Sequence, residues 1–175
     1  MIYARQSIHS IIDGMDNKQT FDCILNFFDP FKSRNKKTRV LDMGTFYYWD
    51  DEQSRMYDVS KTKNLNGYAK DKLYNIIVYD PPKNKNFKTE TKNMCEKFHK
   101  MLYKDGIIIV KSTDFRERNQ LKGSNDIINI FKSNGYILFD HIIAKQFRNS
   151  DVDEYTNHSA ILHTNYLVFK EQQDF

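Results

Sequence analysis

Apolar residues recur with two different periods along this chain, and the alternation between them outlines a fold. Phe21, Ile24, Leu25 and Phe28 fall at i, i+3, i+4 and i+7, one face of a helix that begins near Asn17 and stops at Pro30. Val40 to Met43 reads as a short buried strand, and Arg55 to Val59 as a second. Ile76 to Tyr79 is apolar at every position, the pattern of a strand covered on both faces. Thr89 to Lys104 returns to helical spacing, with Met94, Phe98, Met101 and Leu102 on one stripe. Asp105-Gly106 reads as its stop. Ile107 to Val110 is another buried strand, running into Lys111-Ser112-Thr113-Asp114. Gly123-Ser124 supplies a helix N-cap, Ile127, Ile128 and Phe131 that helix's apolar face, and Asn134-Gly135 its end. Two long strands close the chain, Tyr136 to Gln146 and Ala160 to Phe169, joined by a polar connection from Phe147 to Asn157.

Strands alternating with helices, then a final pair of strands, predict an α/β fold. The expected architecture is a Rossmann-like, doubly wound and mostly parallel sheet with a terminal antiparallel hairpin. At 175 residues the chain is long enough for one domain with a substantial core. Within it, residues 1–37 form an N-terminal arm and helix, and 38–175 the main α/β unit. Met1 to Asp16 has no clear period and reads as an arm that packs on the core or covers a ligand.

Composition narrows the class without deciding it. Hydrophobic residues make up 39% and aromatics 14%, which fits a globular chain. The net charge of +4, from 27 basic and 23 acidic residues, is compatible with a nucleic-acid partner. Lys32, Arg34, Lys36, Lys37 and Arg39 make a basic connector, either a solvated loop or a phosphate contact. Cys23 and Cys95 sit in predicted helices without metal-ligand spacing, which points to a reducing compartment. His9, His99, His141, His158 and His163 are scattered, so no metal is expected. No stretch reaches the length of a membrane span, and the N-terminus lacks a secretory pattern. An intracellular, cytoplasmic protein is the expectation. The abundance of Asn, Lys, Ile and Tyr, whose codons are AT-rich, suggests a low-GC genome such as that of a virus or phage, and then host cytoplasm or nucleus. A phosphate-cradling Gly-rich loop with Lys-Ser/Thr is missing, as is a Gly-x-Ser-x-Gly elbow, which argues against a nucleoside triphosphatase and against that class of hydrolase.

The candidate chemistry lies where the third strand ends, at Asp80-Pro81-Pro82-Lys83. Neither proline can donate to a sheet, so the strand stops there and leaves a carboxylate on a stiff turn. In open α/β sheets ligands bind at the carboxyl ends of strands. An exocyclic amino group is a poor nucleophile, because its lone pair is delocalised into the ring. Acceptors that hold its hydrogens as the nitrogen becomes tetrahedral stabilise the attacking state above the ground state. Asp80 and the Pro81 carbonyl are suited to that task.

Asp80-Pro81-Pro82 resembles the Asp-Pro-Pro-aromatic motif of the amino-group methyltransferases, S-adenosylmethionine enzymes that modify adenine N6 or cytosine N4. The resemblance covers residues 38 to 171. It includes Val40-Leu41-Asp42-Met43-Gly44-Thr45, the helix and strand after the Asp-Pro-Pro turn, and the closing segment with Asn157-His158-Ser159 and Tyr166 to Lys170. It implies a class I methyltransferase fold with S-adenosyl-L-methionine over Asp42, Met43, Gly44 and Thr45. An acid at the end of the second strand binds the cofactor ribose in this family, and Asp58 resembles it. Asn64, Asn66 and Asp71 are alternatives for the adenine contact. The sequence departs from the family in two places. Only Gly44 is present in the first turn, followed by aromatics, and Lys83 stands where an aromatic would stack on the target base. Phe87 or Tyr79 could stack instead, and Lys85, Phe87 and Lys88 are the expected substrate contacts.

The resemblance implies methyl transfer to a nucleobase amino group in DNA or RNA, flipped out or single-stranded. With no room for a recognition domain, a second subunit or a homo-oligomer is expected. Two other readings are a catalytically inactive methyltransferase-like scaffold, and a methyltransferase for a small molecule or protein amide in which Lys83 makes a charge contact.

Overall fold

The computed structural model describes residues 8–11, 17–29, 37–44, 47, 49–63, 65, 73–112, 115–117, 120–146 and 162–172. Its elements, in chain order, are β1 (Ile8–Ile11), α1 (Asn17–Phe28), β2 (Thr38–Met43), α2 (Asp51–Met56), β3 (Tyr57–Lys61), β4 (Tyr74–Tyr79), α3 (Phe87–Phe98), β5 (Leu102–Ser112), β6 (Phe115–Glu117), β7 (Gln120–Lys122), α4 (Ser124–Ser133), β8 (Tyr136–Gln146) and β9 (Leu162–Glu171).

Seven of these strands form one sheet in the order β1-β8-β9-β5-β4-β2-β3. The pairs β1–β8, β2–β3, β2–β4 and β4–β5 are parallel. Within this sheet β9 runs against both its neighbours, β5 and β8. The α/β architecture with a closing antiparallel hairpin is therefore present, with β9 threaded between β5 and β8.

One core lies on each face. On the first, Phe21, Ile24, Leu25 and Phe28 of α1 cover Val40, Ile76, Val78, Ile107, Ile109, Ile142, Tyr166 and Val168. On the second, Cys95 and Phe98 of α3 and Ile127 and Phe131 of α4 cover Leu41, Ile77, Ile108, Val110, Leu167 and Phe169. Alternation along each strand sends successive side chains to opposite cores. That is why β4 is buried at all six positions.

Four features differ from the sequence-based expectation. Ile8–Ile11, in the arm without a period, adds an edge strand to β8. Residues expected to begin the second strand at Arg55 form the end of α2 instead. Asp50 starts that helix with a capping box, accepting from Glu52 and Gln53 amides while the Gln53 side chain accepts from the Asp50 amide. Asp105-Gly106 does not stop α3, which ends at Phe98, but lies inside β5. There the ladder jumps from Tyr74–Leu102 to Ile76–Ile107, so the exposed Tyr103-Lys104-Asp105 bulges out. Gly106 packs so closely that a Cβ would lie 2.7 Å from Leu102 and 2.9 Å from the Tyr103 carbonyl. Finally, the cap expected at Gly123-Ser124 falls on Gly123, with no side-chain cap bond from Ser124. Gly123 precedes the helix at φ 121°, and the Ser124 hydroxyl reaches the Ser112 hydroxyl at 3.1 Å.

A small antiparallel ribbon, β6–β7, is inserted between β5 and α4. No helix among the described residues is long and apolar enough to cross a membrane.

Candidate active site

The chain leaves β2 for β3 on one side and then returns to β4 on the other. The carboxyl ends of β2 and β4 thus flank a topological switch point, where an open α/β sheet forms its ligand crevice. Their register is Asp42–Val78 and Met43–Tyr79, which brings Gly44 beside Asp80. Two sequence-predicted sites, the Gly44 turn and the Asp-Pro-Pro turn, therefore meet in space.

At β2 the structure is closed. Asp42 is buried, and both carboxylate oxygens are used: one accepts from the Gly44 amide at 2.9 Å, the other from Trp49 Nε1 at 2.8 Å. Burial pushes its carboxyl above the ordinary value, against the pull of those two donors and Lys61. Of the aromatics after Gly44, Tyr47 and Trp49 turn inward. Tyr47 and Trp49 stack edge-on at 4.7 Å, and both pack on Phe21 of α1. Tyr47 Oη donates to Asp22, which also accepts from Gln53 at 3.0 Å and pairs with Lys18 at 3.0 Å. The six-residue α2 leads from this turn into β3. Asp42 shapes the turn from within, and Met43 lies in the second core. Thr45, Asn64, Asn66, Asp71 and the Asn157-His158-Ser159 run fall outside the described residues.

Asp58 is not at the ligand end. Because α2 takes the residues up to Met56, β3 begins at Tyr57, and Asp58 pairs in register with Arg39 near the start of β2. Its carboxylate is exposed near the amino end of β3, 3.9 Å from Arg39 Nε. The carboxyl end of β3 carries Ser60, Lys61, Thr62 and Lys63 instead. The Thr62 amide donates to the Asp42 carbonyl at 3.0 Å, tying the two strand ends together. Among the described residues, the carboxyl end of β3 offers a ribose diol hydroxyls and ammonium groups and no carboxylate.

At β4 the structure is open. Asp80 is half-buried, Pro81 buried, Pro82 half-buried and Lys83 exposed. Tyr79 pairs with Val110, so Lys111 follows beside Asp80, and Lys111 pairs in turn with Tyr166 of β9. Alternation puts Asp80, Lys111 and Tyr166 on the α1 face. Burial lowers the Lys111 ammonium from its ordinary value; the Asp80 charge works against this and Lys83 adds to it. The Tyr166 phenol is pushed up to about 12, by burial first and the Asp80 charge second. Lys111 and Tyr166 are the site residues that sequence reading missed. Lys111 was visible as the polar end of an apolar strand, but only strand register shows what it stands beside.

The expected substrate contacts lie around the next helix start. Tyr79 cannot stack on a base, because its ring is buried against Phe98 at 5.4 Å, interplanar angle 75°. Phe87 is half-buried at the first position of α3, packed on the second core. Lys85 is exposed, and Lys88 is exposed but pairs with Asp126 of α4 at 2.9 Å.

This arrangement has known counterparts in fold. A protein of Sulfolobus solfataricus described as a type 11 methyltransferase matches with a TM-score of 0.53 at 12% identity, covering 91% of this chain and 95% of its own. The fold is that of the class I methyltransferases. A methyltransferase from Pyrococcus furiosus gives 0.48 at 14% identity, over 88% of this chain and 82% of its own. A Thermus thermophilus protein described as a DNA modification methylase gives 0.46 at 11%, over 80% of this chain and 55% of its own. At the level of sequence, no family model and no curated protein matches.

Proposed function

We propose that this chain is an S-adenosylmethionine-dependent methyltransferase whose target is an exocyclic amino group of a nucleobase in DNA or RNA. The observation that carries this reading is Asp80-Pro81-Pro82 at the carboxyl end of β4, beside the switch point of a methyltransferase fold. The cofactor would lie at the Gly44 turn and supply an electrophilic methyl group. Asp80 and the Pro81 carbonyl accept the two hydrogens of the target amine, and that hold tightens as the nitrogen becomes tetrahedral. Pro81 and Pro82 keep the acceptors fixed before substrate arrives, so little reorganisation is needed. Lys83 and Lys85, both exposed, flank the mouth and suit a phosphate backbone.

The test is transfer of a labelled methyl group from S-adenosylmethionine to DNA, RNA and protein pools, with calorimetry of cofactor binding beside it. Label in nucleic acid that digests to N-methylated nucleoside supports the reading. Label in protein alone moves the target to an amide. Absence of cofactor binding would turn the reading toward a scaffold built on this fold, an outcome consistent with the lysines at the end of β3.

A further inference from the structure

On the α1 face of the sheet, the carboxyl ends of β4 and β5 and the adjoining part of β9 set three polar residues in a row: Asp80, Lys111 and Tyr166. Neighbouring strands are about 4.8 Å apart, so a carboxylate and an ammonium on adjacent strands, on the same face, are within reach of one another. Lys111 is half-buried, whereas Lys83, the other cation near Asp80, is exposed. A half-buried charge interacts more strongly than one screened by water. Tyr166 is fully buried and lies against Phe21 of α1, ring centroids 6.3 Å apart. It closes the row on the side away from Asp80.

We propose that Lys111 is the positioning residue of this site, its ammonium holding the Asp80 carboxylate as an acceptor for the target amino group. The inference rests on the methyl-transfer reading above. An ionised carboxylate only accepts hydrogen bonds; protonation turns one of its oxygens into a donor and weakens the acceptor that must hold the amine hydrogens. Burial alone would favour the protonated form of Asp80, and a cation one strand away opposes that. The charged and titratable groups facing Asp80 among the described residues are Lys111 from β5, Tyr166 from β9, and Tyr79 and Lys83 from its own segment. Asp42 on β2 lies two residues deeper and is turned to Trp49 and Gly44. Of these groups, Lys111 is the half-buried cation.

The experiment compares the full chain with Lys111→Met and Lys111→Arg. The Asp80 carboxyl carbon is followed by NMR against pH, with Asp80→Asn for assignment, and methyl transfer is followed as a pH–rate profile. In Lys111→Met the Asp80 titration should move up by about one pH unit or more. The acid limb of kcat should move with it, and the KM for cofactor should hold. Lys111→Arg should restore the wild-type titration. An Asp80 titration unchanged in Lys111→Met overturns the proposal, whatever the activity. So does a titration that moves without the acid limb of kcat. A titration that moves in a protein that methylates none of the pools keeps the ion pair and removes the methyl-transfer reading, so the two failures are distinct. Lys111→Gln, which keeps a polar end, replaces the methionine variant if that variant does not fold.

Discussion

Two aspartates end neighbouring parallel strands of this sheet, and they are employed in opposite ways. Asp42 at β2 is buried, and its oxygens are taken by Trp49 and Gly44. Asp80 at β4 is half-buried on a proline turn, with a cation on the next strand. The same residue type, at equivalent strand ends, is a structural tie in one place and a reactive candidate in the other. Position at a strand end gives a carboxylate access to a crevice, and what packs over it decides whether that access remains. Over Asp42 it is the Tyr47–Trp49 pair, anchored on α1. At Asp80 the two prolines end the strand and leave the acid half-buried.

The sharpest way to break this contrast is to neutralise each acid in turn. Asp80→Asn should lower kcat by about 10²-fold or more, while the unfolding midpoint and the cofactor affinity stay close to wild type. A variant that keeps its rate would end the catalytic assignment. Asp42→Ala should do the reverse. It strands the buried Trp49 Nε1–H and the Gly44 amide, at about 1–3 kcal/mol for each unpaired donor. Urea unfolding should therefore show a loss of about 2–6 kcal/mol. A midpoint unchanged within error would mean that Asp42 does not hold the turn.

Asp42 also makes a prediction about pH. Burial raises its folded-state value above the ordinary 3.8, so the folded state binds the proton more tightly than the unfolded state. Stability then falls as pH rises from 3.8 through the folded value. Asp42→Asn removes that loss. The difference in urea midpoint, wild type minus variant, should shrink as pH rises across this window and level off above it. A difference that grows with pH would reverse the sign of the shift and of the burial argument.

A smaller effect is expected at the mouth. Replacing Lys85 and Lys88 by Glu should weaken nucleic-acid binding and flatten its salt dependence, by about one unit of slope for each phosphate that is no longer neutralised. Part of the Lys88 effect will come from separating it from Asp126, so Asp126→Asn serves as the control. Asp58→Ala should do least of all. Its carboxylate is exposed near the amino end of β3, and an exposed pair at 3.9 Å contributes little. Calorimetry that showed weaker cofactor binding in this variant would put the ligand at the wrong end of the sheet.

Much of the fold was legible because periodicity is a local signal. The Ile76 to Tyr79 run of β4, the i, i+3, i+4, i+7 face of α1 and the end of α4 at Asn134-Gly135 all stand as read. Elements without a periodic signal were not legible. Ile8–Ile11 is a strand because the edge of β8 accepts it, and β6–β7 is a ribbon because its two short halves pair with each other. Arg55 and Met56, read as the start of a strand, end α2 because the Asp50–Gln53 cap begins a helix just before them.

The sequence by itself determined that an acid would stand at the end of a doubly covered strand, since two prolines after an apolar run leave no other course. It could not determine the company that acid keeps. Lys111 is 31 residues away along the chain and Tyr166 is 86, and only the register of three strands brings them to one face. In the same way, Asp58 looked like the acid of a strand end until a two-residue shift in where β3 begins put it near the amino end of that strand. Side-chain identity and local period are written residue by residue. Which end of a strand a residue occupies, and what lies across from it, are set by pairing between distant segments, a property of the folded chain alone.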